Sequence, residues 1–344
     1  MSNKLLEVDD LTVRYETNEG DLTAVSNASF SVDKKEFYGL AGESGSGKST
    51  LAKAIIGGLD DNGKVTSGKI KYKGTEIQDY TEKQFNNNLR WKEIAWIPQG
   101  AMNSLDPLMK ISEQATRIAQ RHTDLSKNEA LEKFKEMFNV VGIAPSRVTD
   151  YPHQFSGGMA QRAIIAMALF LEPDLVIADE PTTALDVIMQ DQVFKYLDEV
   201  KEEINTSILL ITHDISVIFE SCDGVAIMHS SQVAENGDIN KVYDSPRHPY
   251  AIMFQDAFPD IREPDRDLEI IEGYPPQLVG EVNKCSFVDR CPWAVEECYN
   301  SAPEQEAISD EDDHYAACFR KDEVHELYEQ EKHKRSSQRT TQSK

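Results

Sequence analysis

The chain has 344 residues, enough for one large or two ordinary domains with a sizeable buried core. Its 40% hydrophobic and 28% charged residues suit a soluble globular protein, and a formal charge of −24 argues against a nucleic-acid binder, which needs clustered Lys and Arg. Acidity also suits a salty cytoplasm, but lysine outnumbers arginine, and a solvated acidic surface explains the charge more simply.

The opening "MSNKLLEVDDLTVRYE" has no apolar signal core, and the longest apolar run, "AIIAMALFL" (163–171), is too short to cross a bilayer. The expectation is a cytosolic chain, or one held at a membrane only through partners. Alternation in "LEVDDLTVRYE" (6–16) and "LTAVSNASFSV" (22–32) predicts half-buried antiparallel strands. Four runs of another character follow: "FYGLAG" (37–42), "EIAWIPQ" (93–99), "DLVIADE" (174–180) and "SILLITHD" (207–214). Each is nearly all apolar and then turns polar, as strands of a parallel sheet do when both faces are buried and chemistry sits at the carboxyl end. Helical patterns lie between them, and residues 112–145 read as helices within an inserted subdomain of about 100–170. The expected organisation is an α/β nucleotide-binding domain over 1–245, with an N-terminal antiparallel β-subdomain and the helical insert. A small Cys-bearing extension follows over 246–320, then a charged, frayed tail over 321–344.

"GESGSGKST" spans Gly42, Glu43, Ser44, Gly45, Ser46, Gly47, Lys48, Ser49 and Thr50 and fits the phosphate-binding loop G-x-x-x-x-G-K-[ST] between a strand and a helix. The glycines let backbone N–H groups face phosphate oxygens, Lys48 reaches the β- and γ-phosphates, and the Ser49 hydroxyl suits Mg²⁺. A chance match in a chain of this length is a roughly one-percent event. In "LVIADEP" (175–181), Asp179 ends a buried strand where it can hold Mg²⁺, and Glu180 is the candidate general base. In "FSGGMAQR" (155–162), Ser156, Gly157 and Gly158 open a helix whose free N–H groups favour an anion.

Together these segments resemble the ABC-type ATPases, whose signature is usually Leu-Ser-Gly-Gly-Gln; here Phe155 and Met159 replace the outer residues. The resemblance implies that the signature binds the γ-phosphate of ATP held by an opposite subunit. It also implies that Gln99 touches Mg²⁺ and the attacking water, Asp186 of "TALD" lies at a dimer interface, His213 contacts the γ-phosphate, and Tyr15 stacks on adenine. His248 of "RHPY" reads as a structural loop residue. "YPHQFSGGMAQR", "DEPTTALDV", "HPYAIMFQDAFPDI" and "GYPPQL" resemble the D-type ATPase subunit of dipeptide/oligopeptide permeases. That family implies a heterodimer with an F-type ATPase, two transmembrane permeases and an extracellular solute-binding protein, with no nucleic acid. The chain would work at the cytoplasmic face of the membrane, and "GAMNSLDPLMK" with the helical insert would seat a permease's coupling helix. Related systems carry nickel or sugars, and soluble ABC ATPases act on DNA or ribosomes. The latter usually have a second cassette or a long coiled insertion, which this chain lacks. A non-catalytic cassette would have damaged Glu180 or His213, and both are intact. Departures from the family pattern include Ala160, Ser230-Ser231 and Lys284, all expected to lie away from the phosphate chemistry.

Cys285, Cys291, Cys298 and Cys318 are spaced C-x5-C-x6-C-x19-C, without the close pair common in zinc sites. Cys291-Pro292 is similar to the Cys-Pro of ferredoxin-type runs. Members of the resembled family carry a [4Fe–4S] cluster at these cysteines, which places iron–sulfur first and zinc second; a reducing compartment disfavours disulfides. Cys222 reads as a small core residue.

Overall fold

The computed structural model describes residues 3–342 except 19, 183–186, 260–267, 277, 281 and 310–312. Strands β1 (Lys4–Thr17) and β2 (Gly20–Asp33) pair antiparallel, as their alternation predicts. Two successive exposed residues, Asp9 and Asp10, interrupt that alternation, and the backbone compensates with a bulge. Asp10 takes φ +46° and the register shifts between Val8 and Leu11, so that Leu11 again faces inward. After β3 (Phe37–Gly42), β4 (Gly63–Tyr72) and β5 (Thr75–Glu76) complete this sheet in the order β2-β1-β4-β5.

The second sheet contains β3 with β6 (Ile94–Ile97), β7 (Leu175–Asp179), β8 (Ser207–Thr212), β9 (Gly224–His229), β10 (Gln232–Asp238), β11 (Glu306–Ala307) and β12 (His314–Ala316). Its order is β11-β12-β10-β9-β3-β8-β7-β6, with β9, β3, β8, β7 and β6 parallel. All residues of β3, β7, β8 and β9 are buried. Successive side chains of one strand feed two different cores. Phe37, Val176, Ala178, Ile208 and Leu210 pack toward the helical insert, whereas Leu40, Leu175, Ile177, Leu209 and Ile211 pack with the antiparallel sheet. The continuous apolar runs follow from that double burial.

The insert forms helices Ile111–His122, Lys127–Val140 and Gly157–Leu169. Ser126 and Glu129 make a reciprocal cap at the start of the second, and Phe134 packs on Phe138 and Phe170 at ring distances of 4.6 and 5.3 Å. The expected frayed tail is instead a helix, Val324–Gln342; Tyr328 donates to Asp256 at 3.0 Å and Trp293 to Glu331 at 3.1 Å, fastening its first turns. Nor does the boundary expected near 245 separate two sheets, because β12 pairs with β10. Fully buried Glu235 reinforces this join by accepting from the backbone N–H groups of Arg247 at 2.9 Å and His248 at 2.7 Å, and it bonds His314 Nε2 at 2.8 Å.

Glu235→Ala would strand those donors in a dry interior, and is expected to cost about 3–5 kcal/mol. Urea unfolding of the purified chain checks this; an unchanged midpoint would remove Glu235 from its structural role.

Candidate active site

At the end of β3 the backbone must curl, and glycines permit it. Gly42 and Gly47 have φ +147° and +105°; a Cβ there would meet Met228 O at 2.1 Å and Ala24 O at 2.2 Å. Helix Lys48–Ile55 starts at once, and Lys48 folds back over the loop. Its Nζ donates to the carbonyls of Gly42 and Glu43, each at 2.8 Å, and to Ser46 Oγ at 3.4 Å. Burial pushes Lys48 down to about 8, while the carboxylates of Glu180, Asp179 and Glu43 pull the other way. Ser46 is buried, Ser44 and Gly45 are exposed at the loop's tip, and Thr50 is half-buried in the helix. The Ser49 hydroxyl donates to Asp179 Oδ1 at 3.2 Å. Burial raises Asp179, and the Ser49 bond opposes that rise.

Glu180 follows β7 with φ +46°, a left-handed conformation that costs a β-carbon-bearing residue energy and re-aims its side chain. Its N–H donates to Ile211 O at 2.8 Å; Gln99 Nε2 donates to its Oε2 at 2.8 Å, and His213 Nδ1 lies 3.1 Å from its Oε1. The phosphate loop, Gln99, Asp179–Glu180 and His213 thus leave four neighbouring parallel strands, β3, β6, β7 and β8, at their carboxyl ends. A hydroxyl and a carboxylate side by side under a glycine-curled loop suit Mg²⁺ with a nucleotide's phosphates.

The other predicted residues lie elsewhere. Ser156 caps the helix Gly157–Leu169, accepting from Met159 N–H at 3.4 Å; Ser156 and Gly157 are exposed, and Gly158 and Met159 half-buried. Phe155 packs edge-on against Phe138, and Gln161 on that helix donates to Pro181 O just beyond the end of β7. Tyr15 is half-buried on β1, its ring over Gly63. Asp186 lies outside the described residues. His248 is buried and caps helix Pro249–Asp256, a structural role as expected.

Sequence reasoning missed two residues that grip the loop. Tyr250 Oη accepts from Glu43 N–H at 3.1 Å, and Arg290 makes a two-pronged bond to the Glu43 carboxylate at 2.8 and 3.1 Å. Partners 207 and 247 positions away leave no local signal. The Ser230-Ser231 departure is also nearer than expected: both residues have positive φ in the β9–β10 turn, and Ser231 N–H donates to Ser46 O at 3.0 Å.

All five cysteines are free thiols, and Cys222 is a buried core residue. Cys285, Cys291, Cys298 and Cys318 lie within charge–charge reach of one another. Burial pushes Cys285 up, and Cys291 and Cys318 up to about 12. Backbone N–H groups oppose this: Phe287 and Val288 toward Cys285, Trp293 toward Cys291, and Arg320 toward Cys318 Sγ at 3.4 Å. Among the described residues, however, no three His, Cys, Asp or Glu side chains are arranged to hold a metal ion.

Residues 25–183 match the family model described as ABC transporter, and residues 234–298 match the oligopeptide/dipeptide transporter C-terminal region. The chain is 43% identical over 321 residues to the oligopeptide transport ATP-binding protein OppD of Salmonella typhimurium, covering 93% of this chain and 94% of that protein. The chain belongs to the ATP-binding proteins of ABC-type oligopeptide and dipeptide transport. A family member with dipeptide in its name, DppD of Escherichia coli, is 37% identical over 89% of this chain and 94% of its own length. The dimeric structure of MJ0796, a bacterial ABC transporter cassette, superposes with TM-score 0.60 at 27% identity, covering 68% of this chain and 98% of the cassette. The present chain is accordingly an ABC ATPase. Among its described residues no helix is long and apolar enough to cross a membrane.

Raising the pH through about 8 discharges Lys48, the cation folded over the loop. Affinity for MgATP is therefore expected to fall about tenfold between roughly pH 7 and 9, with proton uptake on binding at the upper end. Calorimetric titration in buffers of different ionisation heat reads both, and a flat affinity over that range would contradict the assignment.

Proposed function

We propose that this chain binds MgATP in the Gly42–Thr50 loop and hydrolyses it with Glu180 as general base, powering import of oligopeptides or dipeptides. The observation that carries the reading is the hydrogen-bonded set Lys48, Ser49–Asp179 and Gln99–Glu180–His213 at the carboxyl ends of β3, β6, β7 and β8. Ser49 and Asp179 would hold Mg²⁺, which neutralises charge on the phosphates when bound. Lys48 would exchange the carbonyls of Gly42 and Glu43 for phosphate oxygens. Glu180 takes the proton of the attacking water through a carboxylate oxygen, and Gln99 and His213 keep that carboxylate aimed. The names of the relatives supply the solute class.

Ser156–Met159 open the helix Gly157–Leu169 on the helical insert rather than at the loop's own strands, which supports their use on a nucleotide held by a second, F-type ATPase. Asp186 would face that partner, and Tyr15 would stack on adenine. The remaining partners are two membrane permeases and an external solute-binding protein, which places the chain at the cytoplasmic face of the membrane. Leu108, 86% exposed in the segment after Gln99, offers an apolar contact for a permease's coupling helix.

The four extension cysteines are assigned to a [4Fe–4S] cluster, with zinc as the alternative. Support comes from the backbone around Cys285, Cys291 and Cys318, which favours thiolate, most directly where the Arg320 N–H donates to Cys318 Sγ at 3.4 Å. Holding a metal requires the thiols to draw closer together, since no three metal-ligating side chains are gathered among the described residues. Anaerobically purified protein is expected to be brown, absorbing near roughly 400 nm with about four irons per chain. Colourless protein with one zinc per chain would reverse the order of the two metals, and neither metal would remove the site.

Glu180→Gln keeps the loop, Lys48 and the Ser49–Asp179 pair. It is expected to retain ATP binding while lowering turnover in the assembled transporter at least about a hundredfold. Wild-type turnover in that variant would take Glu180 out of the chemistry.

A further inference from the structure

The phosphate loop has an awkward feature: a site for a polyanion carries its own carboxylate, Glu43, at the loop's second position. Left alone, that carboxylate would repel the phosphates, and it would compete with them for Lys48, which already feels its charge. Arg290, from the extension, answers both problems. Its side chain is 7% exposed and its two Nη groups clasp Glu43 at 2.8 and 3.1 Å, while Nε donates to Glu272 O at 3.0 Å. Nη1 also donates to His229 Nε2 at 3.2 Å. Burial, with His248 and Arg290 adding to it, pushes His229 down to about 3, so the ring is neutral and its Nε2, which also lies 3.3 Å from Ser230 Oγ, accepts from the guanidinium. Phe287 lies under the guanidinium at 5.5 Å. Arg290 ends the short helical turn Val288–Arg290 between Cys285 and Cys291, so the thiol-bearing loop also delivers the cation. Meanwhile Glu43 N–H is fixed by Tyr250 and Glu43 O by Lys48. Side chain, N–H and carbonyl of one loop residue are all held, two of the three by the extension.

We propose that Arg290 is a positioning residue for nucleotide binding: by neutralising and anchoring Glu43, the C-terminal extension makes the phosphate loop fit for a polyanion and leaves Lys48 available. The inference rests on the loop being the ATP site, and holds whatever the four cysteines bind.

The test uses the full chain with a fluorescent ATP analogue and Mg²⁺, and the assembled transporter for kinetics. Arg290→Gln is expected to weaken binding about tenfold, the loss appearing mainly in KM rather than kcat. Arg290→Lys should recover part of it, keeping the charge without the fork. Added salt should shrink the Arg290→Gln defect by screening the exposed carboxylate. In a Glu43→Gln background, Arg290→Gln should change affinity less than about twofold, because no carboxylate remains to neutralise. The proposal is overturned if folded Arg290→Gln binds like wild type, or if its full defect persists in the Glu43→Gln background. Should Arg290→Gln not fold, Arg290→Lys alone and combined with Glu43→Gln decide by the same comparison. Failure of the wild-type chain to bind nucleotide would instead condemn the assignment of the loop.

Discussion

Keeping an ammonium ion charged where water scarcely reaches it is the constraint on which this structure turns. Lys48 is 5% exposed, and burial costs its charged form far more than that of a surface lysine. The loop meets the cost with its own carbonyls, which can face inward only because Gly42 and Gly47 adopt backbone angles closed to other residues. The same carbonyls hold Lys48 loosely enough to be exchanged for stronger acceptors. A buried parallel sheet supplies the surroundings, and its strand ends bring Asp179 and Glu180 near without letting the carboxylates neutralise the lysine by direct contact.

That arrangement reaches well beyond the ATPase core. The extension adds β11 and β12 to the main sheet, sends Tyr250 and Arg290 to the phosphate loop, and locks itself to β10 through the buried Glu235–His314 pair. A segment that would bury too little apolar surface by itself gains order from the sheet it completes. The sheet edge gains a cover in return, which an exposed β10 would lack.

The extension cysteines sit on short turns, and at one of them the Arg320 N–H donates to Cys318 Sγ at 3.4 Å. The turn that presents Cys285 and Cys291 also carries Arg290, so packing of this region and order of the phosphate loop share a few residues.

Local chemistry was enough to read much of this protein. The loop glycines, the doubly buried strands and the capped helices are written in runs of five to twenty residues, because backbone angle, pleat and helix period are local properties. Helix Val324–Gln342 was not legible, since its apolar residues are confined to Val324, Leu327 and Tyr328 at its start, where burial of Val324 and contacts with Asp256 and Trp293 fasten it. The bulge at Asp10 was missed in the alternation read over 6–16, because only pairing with β2 shows how the chain absorbs two successive aspartates. Glu180 was read from its strand end and Gln99 and His213 from the family resemblance, but their meeting on one carboxylate depends on the order of β6, β7 and β8. The grip of Arg290 on Glu43 belongs wholly to tertiary structure. Across 247 positions no periodicity or spacing links the two, and a buried charge finds its partner only when the folded chain leaves it no water.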